Sequence, residues 1–459
     1  MNERLTRRGF LKAGSAAAVG ASIASQARAF GATGQPRVGI VGGGLAGVSC
    51  AWLLDGVADT VLFEARFGVG GHAETIPVWV GNRWIALDVG AQFFADGTHP
   101  TYTKLLEVIG LQDAIVDSEM TITVTEGTTT RPIFVSPAAN RTWPIIAQWN
   151  SAALGAFFVF ALAAKQFSEN GDWLVPLADW LETLPVPPAQ RDGLLLPLLA
   201  ALTGCTVPQA LTLSARSAIF FIGKALPPSL FGLRYKNSLL GLGGNAKVLA
   251  LRCHDLTVHK GSPVTAIQAT PTGYSIQNAA GVVEDVDVLV FANPPYRARP
   301  LLPALPDLAQ AAATLETFEY FPSKIVIHRD PAYMQTHPGY WSAYNADISN
   351  GRCEGSVWYG ALRPVAPGGQ PLSLFKSWAT DRSQPPANVV FQQPFLHPLI
   401  TPAFIEAGRQ LASLQGRAGV WFAGSYTGEV DSQETALTSA MNVVRNLDPQ
   451  APNLMLLGG

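Results

Sequence analysis

Charge is scarce in this chain. Only 14% of its 459 residues are Asp, Glu, Lys or Arg, against 48% hydrophobic. So much apolar material under so few charges calls for a large buried core. The formal net charge is −2 and there is no long basic run, which argues against nucleic acid as a partner. Cysteine is scarce too. Cys50, Cys205, Cys253 and Cys353 lie far apart and form no C-x-x-C pair, so no metal site is read from them and no disulfide pairing is specified. Beyond the N-terminus no run reaches about eighteen unbroken apolar residues, and no transmembrane span is expected.

The first 29 residues read as a removable leader. Thr6-Arg7-Arg8-Gly9-Phe10-Leu11-Lys12 is a twin-arginine export motif, an Ala/Ser/Gly-rich apolar stretch follows, and Ala27-Arg28-Ala29 provides an A-x-A cleavage site. The mature protein is then expected in the periplasm or outside the cell, delivered by the twin-arginine translocase. That route carries folded proteins, which suits a chain that must capture a cofactor before export. About 430 residues remain, enough for two domains or one large one.

The most informative stretch is 37–66. Val38–Val41 reads as a buried parallel strand and runs into Gly42-Gly43-Gly44-Leu45-Ala46-Gly47, the spacing G-x-G-x-x-G. A helix pattern extends to about Leu54, and a second apolar run, Thr60–Phe63, ends on Glu64. Each part has a mechanical role in holding a dinucleotide. Gly42 permits the tight turn, Gly44 lets a pyrophosphate approach the backbone, and Gly47 lets helix and strand pack closely. The N–H groups of Leu45 and Ala46 open the helix toward the phosphates. Glu64, twenty-two residues after Gly42, suits the hydroxyls of a ribose.

Two further glycine turns follow. Glu64-Ala65-Arg66 leads through Phe67-Gly68-Val69 to Gly70-Gly71-His72-Ala73-Glu74-Thr75, and Trp84–Val89 reads as a strand entering Gly90-Ala91-Gln92-Phe93-Phe94. With these residues the chain resembles the flavin-containing amine oxidase superfamily, which includes monoamine and polyamine oxidases, L-amino-acid oxidases and phytoene-desaturase-like enzymes. Its Gly-Gly-His turn, where many members have Gly-Gly-Arg, resembles a bacterial branch of FAD-dependent oxidoreductases.

The resemblance implies an α/β fold: a doubly wound, Rossmann-type FAD-binding domain around a central parallel sheet, with a discontinuous α+β substrate domain. The FAD domain would comprise 36–97, 239–300 and 417–448, and the substrate domain 98–238 and 301–416. It further implies that Val264 lies against the adenine. Gly424 and Ser425, with the helix opened by Glu434-Thr435-Ala436-Leu437, would complete the flavin site. Backbone N–H groups there face developing negative charge.

Between these motifs the chain is less specific. Pro100–Ile109 and Ser151–Gln166 read as helices, and Leu194–Leu202 as a helix interrupted at Pro197. Leu256–His259 and Ser262–Ile267 read as paired strands. Gly241, Gly243 and Ala246 give a G-x-G-x-x-A, but no good strand precedes it, so a helix re-entering the FAD domain is the better reading. Aromatic-rich runs around Trp341, Tyr344, Trp358, Tyr359 and Trp378 suit either strands facing a cavity or ordinary sheet packing.

The chemistry implied is hydride transfer from a small amine, amino acid or apolar molecule to FAD, with electrons passing to oxygen or a periplasmic acceptor. Lys324 sits where family members carry a lysine near the flavin, and His72 is a candidate acid–base group. No tyrosine lies between Gly428 and Glu434, and Ser432 stands where an amine cage would need one. Two alternatives therefore stay open. One is a desaturase or isomerase of a lipid or isoprenoid, and the other is a non-catalytic flavoprotein acting as a binding partner.

Overall fold

The computed structural model describes residues 3–4, 34–127, 129, 131–136, 150–226, 233–349, 351–362 and 371–458. The twin-arginine and cleavage motifs lie outside the described residues.

A parallel sheet forms the first layer. Its strands, in spatial order, are Leu256–Lys260, Asp59–Glu64, Arg37–Val41, Val288–Phe291 and Val420–Phe422, with a two-residue antiparallel piece, Glu3–Arg4, at one edge. Val290 pairs with Ile40 on one side and Trp421 on the other, so segments far apart in the chain meet in one register. These strands are nearly continuous apolar runs because both of their faces are covered. Val38, Ile40, Leu62, Val258 and Val290 point into a core shared with the helices Leu45–Leu53, Leu242–Arg252 and Gln433–Leu447. Val41, Val61, Phe63, Leu289 and Phe291 point the other way, onto a three-stranded antiparallel sheet, Val264–Ala269, Tyr274–Asn278 and Val283–Val286.

That arrangement corrects one strand pairing. Leu256–Lys260 joins the central sheet beside Asp59–Glu64, while Val264–Ala269 pairs with Tyr274–Asn278. The two do not pair with each other, because the chain turns out of the central sheet at Gly261, whose φ is +75°. Leu194–Leu202 also differs from expectation. A π-helical turn, Arg191–Leu195, feeds an α-helix at Leu196–Thr203, and Pro197 sits in its first turn, where a missing N–H does no harm.

The second layer is a seven-stranded mixed sheet. Its order is Val389–Pro398, Tyr320–His328, Phe375–Trp378, Arg352–Trp358, Tyr344–Ser349, Ile122–Glu126 and Phe134–Val135. Helices from 151–225 pack against it in a separate core. Ser151–Asn170 is long and apolar enough to cross a membrane by length and composition alone, with a mean hydropathy of 1.4. Its buried apolar residues, Ala153, Ala156, Phe157, Phe160, Ala161 and Ala164, form one stripe at helical spacing, and that stripe lies in the core. It packs on Ala215–Ala225, where Gly223 allows contact so close that an added Cβ would lie 2.5 Å from the Ala164 carbonyl oxygen.

Candidate functional site

The three motif glycines of the first turn, Gly42, Gly44 and Gly47, do different work. Gly42 has φ +114°, and a Cβ there would lie 2.7 Å from the Ala292 carbonyl oxygen. At Gly47 a Cβ would fall 1.9 Å from the Gly42 carbonyl oxygen. Both are required by the protein's own packing. Gly44 is not, since its Cβ would meet only Gly71 Cα, at 3.8 Å. The space in front of Gly44 therefore suits a ligand. The helix Leu45–Leu53 begins with no side-chain cap and no acidic residue in its first turn, although Leu45, Ala46 and Gly47 are buried. Buried helix N–H groups need an acceptor, and a pyrophosphate would supply it.

The second and third glycine turns are zipped to the first. Gly70 N–H donates to the Gly43 carbonyl at 2.8 Å, and Ala91 N–H to the His72 carbonyl at 2.9 Å. Gly90 must lack a side chain, because a Cβ would lie 1.9 Å from the His72 carbonyl oxygen. The Arg66 guanidinium clamps the loop, donating to the Gly71 carbonyl at 2.6 Å and pairing with Glu74. Ala65 is exposed beside it. Glu64 is buried at the strand end. One carboxylate oxygen accepts the Gly43 N–H at 2.8 Å and the other the Arg66 N–H at 2.7 Å, which leaves each with lone-pair capacity for a hydroxyl donor. Gly261 N–H donates to the Arg66 carbonyl at 2.8 Å, so the half-buried Val264, three residues on, starts its strand beside the Glu64 end.

The remaining expected cofactor residues converge from the far end of the chain. Gly424 N–H donates to Ser439 Oγ at 2.8 Å, and Ser425 Oγ is hydrogen-bonded to the Asp431 carboxylate. Ser432 caps the helix Gln433–Leu447 by accepting the Thr435 N–H, the Ala436 N–H returns to the Ser432 carbonyl, and Leu437 is buried. Gln433 donates to the Phe93 carbonyl at 3.0 Å, tying this helix to the Gly90 turn. In that turn Gln92 Oε1 is buried with no partner among the described residues, an acceptor left for a ligand. The Glu434 side chain serves another end. Its two oxygens accept the Thr101 and Tyr102 N–H groups at the start of the helix Pro100–Val108.

The second G-x-G-x-x-A is not a nucleotide site. The Leu242 N–H donates to Asp88 Oδ1 and the Gly243 N–H to Thr75 Oγ1, both at 2.8 Å, so protein groups already occupy that helix start.

Lys324 needs correction. Strand alternation puts Phe321, Ser323 and Ile325 on the face carrying Phe395 and His397, and it puts the exposed Lys324 on the opposite face. Lys376, which the sequence reading missed, lies on the inner face instead. Paired with Ile327 and fully buried, it donates from Nζ to the Gly90 carbonyl at 3.0 Å. Burial pulls its ammonium down from 10.5 to about 8, while Asp88 opposes the shift. The only sequence sign of it is a lone charge within Leu374-Phe375-Lys376-Ser377-Trp378.

His72 also gains neighbours that the sequence did not reveal. The His397 ring is stacked near it, with centroids 5.9 Å apart and planes 15° apart. Phe395 meets His72 edge-on at 5.5 Å, and Phe321 stacks on His397 at 5.8 Å. Both imidazoles keep some accessible surface, yet enough protein surrounds them to disfavour their charged forms. Burial lowers His72, and nearby Arg66 adds to this while Asp431 and Glu74 oppose it. Burial and His72 together take His397 to about 4, with Asp431 opposing. Phe321 also borders a small cleft lined by Cys205, Arg352, Glu354 and Trp378. All four cysteines are buried and free.

Residues 40–108 match the family model of the NAD(P)-binding Rossmann-like domain. No curated protein matches the sequence. Solved structures share the architecture at low identity. A putrescine oxidase variant aligns at 14% identity and a TM-score of 0.61, covering 91% of this chain and 99% of its own. Cyclohexylamine oxidase from Brevibacterium oxydans IH-35A aligns at 14% and 0.58, covering 91% and 99%. A CLA-producing fatty acid isomerase from P. acnes aligns at 12% and 0.63, covering 89% and 98%. The chain shares the overall fold of these three structures, and its N-terminal part is a Rossmann-like nucleotide-binding unit.

Proposed function

We propose that this protein is an FAD-dependent oxidoreductase that removes a hydride from a small organic substrate and passes the electrons to oxygen or another acceptor. The observation that carries this reading is the convergence of separated segments around the glycine turns. An uncapped, buried helix start, an open face at Gly44 and a carboxylate at Glu64 stand at one end. Lys376, the Gly90 turn and the final helix stand at the other. FAD would supply hydride acceptance when bound. The chain's own part is to bind and orient. Leu45 and Ala46 would hold the pyrophosphate, Glu64 the adenosine ribose, and the turns at Gly70–His72 and Gly90–Phe93 would line the flavin. Lys376 holds a proton on a buried nitrogen beside Gly90 and offers a donor in a site from which packing excludes bulk water.

An amine is the substrate class we favour, because a half-buried imidazole pair, His72 and His397, and the Asp431 carboxylate stand near the Gly70–His72 turn. A fatty-acid isomerase shares the fold, so lipid desaturation or isomerisation is the second reading. Purified protein should be yellow, and anaerobic mixing with benzylamine, putrescine, cyclohexylamine and linoleate should identify which compound bleaches the flavin. A colourless protein that cannot be reconstituted with FAD would refute the reading. We further propose export by the twin-arginine route to the periplasm. Replacing Arg7 and Arg8 together by lysine should abolish export, and efficient export of that variant would overturn it.

A further inference from the structure

His397 stands on an outer strand of the mixed sheet, and its Nε2 is buried without a hydrogen-bond partner among the described residues. Such an atom disfavours the folded state unless something else meets it. Nothing in the packing explains the position. Phe321 and Phe395 border the ring, and either would pack equally well against a Phe or Leu at 397. Three elements that surround the expected flavin meet here: the Gly70-Gly71-His72 turn, the inner face of the sheet, and the loop carrying Asp431 ahead of the last helix. Phe321, which stacks on the imidazole, is also a wall of the cleft bordered by Cys205, Arg352 and Trp378.

Resting on the flavin-dependent reading above, we propose that His397 Nε2 is the acceptor that binds and orients the substrate's uncharged N–H or O–H group, carried on the carbon that is to be oxidised. The substrates are then small amines in their neutral form, or alcohols, with an apolar body lying against Phe321 and Phe395. Hydrocarbon chains lacking such a donor are poor ligands. The charged and titratable neighbours of His397 are His72 from the turn, Asp431 from the loop and Lys376 from the next strand but one in the sheet, with Arg66 and Glu74 acting on His72. Burial, His72 and Lys376 all keep the His397 ring neutral through the neutral pH range, and with its proton on Nδ1 the ring presents Nε2 as an acceptor.

The test uses flavin-loaded, full-length protein and two probes, 2-phenylpropan-2-ol and its methyl ether. Both are uncharged, neither has a hydrogen on the carbon that would be oxidised, and only the first can donate. Calorimetry or flavin-absorbance titration should show the alcohol binding about tenfold more tightly than the ether, as one buried hydrogen bond predicts. His397→Phe should erase that ratio and His397→Gln should retain part of it. The histidine ¹⁵N spectrum should show the alcohol shifting the His397 Nε2 resonance, a readout that holds even if a variant folds poorly. Equal binding of the two probes, no binding of either, or an unchanged ratio in His397→Phe overturns the proposal. A protein that never binds FAD refutes the underlying reading instead, and its absorption spectrum reveals that before any probe is added.

Discussion

Replacing Lys376 by methionine should stabilise the protein while impairing its chemistry. Lowering a lysine from 10.5 to about 8 disfavours the folded state by roughly 3 kcal/mol at neutral pH. Methionine fills similar space without a charge, and replacing a buried ion by an apolar side chain is often stabilising. The Gly90 carbonyl would lose its donor, which costs about 1 kcal/mol. A net gain of about 2 kcal/mol is expected at pH 7. Its pH dependence is the sharper test. The folded protein holds the Lys376 proton less tightly than the unfolded chain does. Below about pH 8 both states are protonated and the penalty is full. Between about 8 and 10.5 the folded state releases the proton first, so wild-type stability rises, and above that range the penalty is gone. Urea unfolding of cofactor-stripped protein, followed by tryptophan fluorescence, avoids the stabilisation that bound FAD would add. The advantage of Lys376→Met should shrink steadily from pH 8 to 10, and flavin reduction should slow at least tenfold in the reconstituted variant. An advantage that stays constant with pH, or a variant less stable than wild type at pH 7, would refute the assignment of Lys376 as a strained buried cation.

The glycine turn makes a paired prediction. Gly44→Ala should leave apoprotein stability within about 1 kcal/mol, since its φ of −67° suits alanine and no protein atom obstructs the Cβ, yet FAD affinity should fall at least tenfold in a fluorescence titration. Gly47→Ala should instead impair folding itself, visible as loss of soluble protein, because its Cβ would fall on the Gly42 carbonyl. Glu434→Ala should lower stability by about 1–2 kcal/mol in thermal unfolding, with the bound-flavin spectrum unchanged, because it removes the acceptor for two N–H groups of the helix Pro100–Val108. Lys324→Ala should leave the rate of flavin reduction within twofold in anaerobic stopped flow, since its side chain faces away from the site.

What could be read from the sequence depended on how locally each feature is encoded. The strand, glycine turn, helix and Glu64 lie within 37–66, and the steric demands that require each glycine act between neighbours, so their roles are readable without a fold. Gly90 is partly readable, because its motif is local, although its reason is the carbonyl of His72, eighteen residues earlier. Lys376 and Lys324 show where this ends. Both are strand lysines, and a local context resembling that of the family lysine favoured Lys324. Which one enters the site depends on strand parity. Parity is set by register across the sheet, where Ile325 opposes Trp378 and Ile327 opposes Lys376. A shift of one residue would reverse every side chain. His397 and Asp431 are hidden for a related reason. Neither belongs to a motif, and their meaning arises only when two segments over thirty residues apart close around His72, more than three hundred residues upstream. The cofactor site is therefore written largely in local steric rules, whereas the substrate site is written in long-range register. That difference is why the glycine turn pointed to the cofactor, while the polar contact proposed for the substrate became visible only in the packed structure.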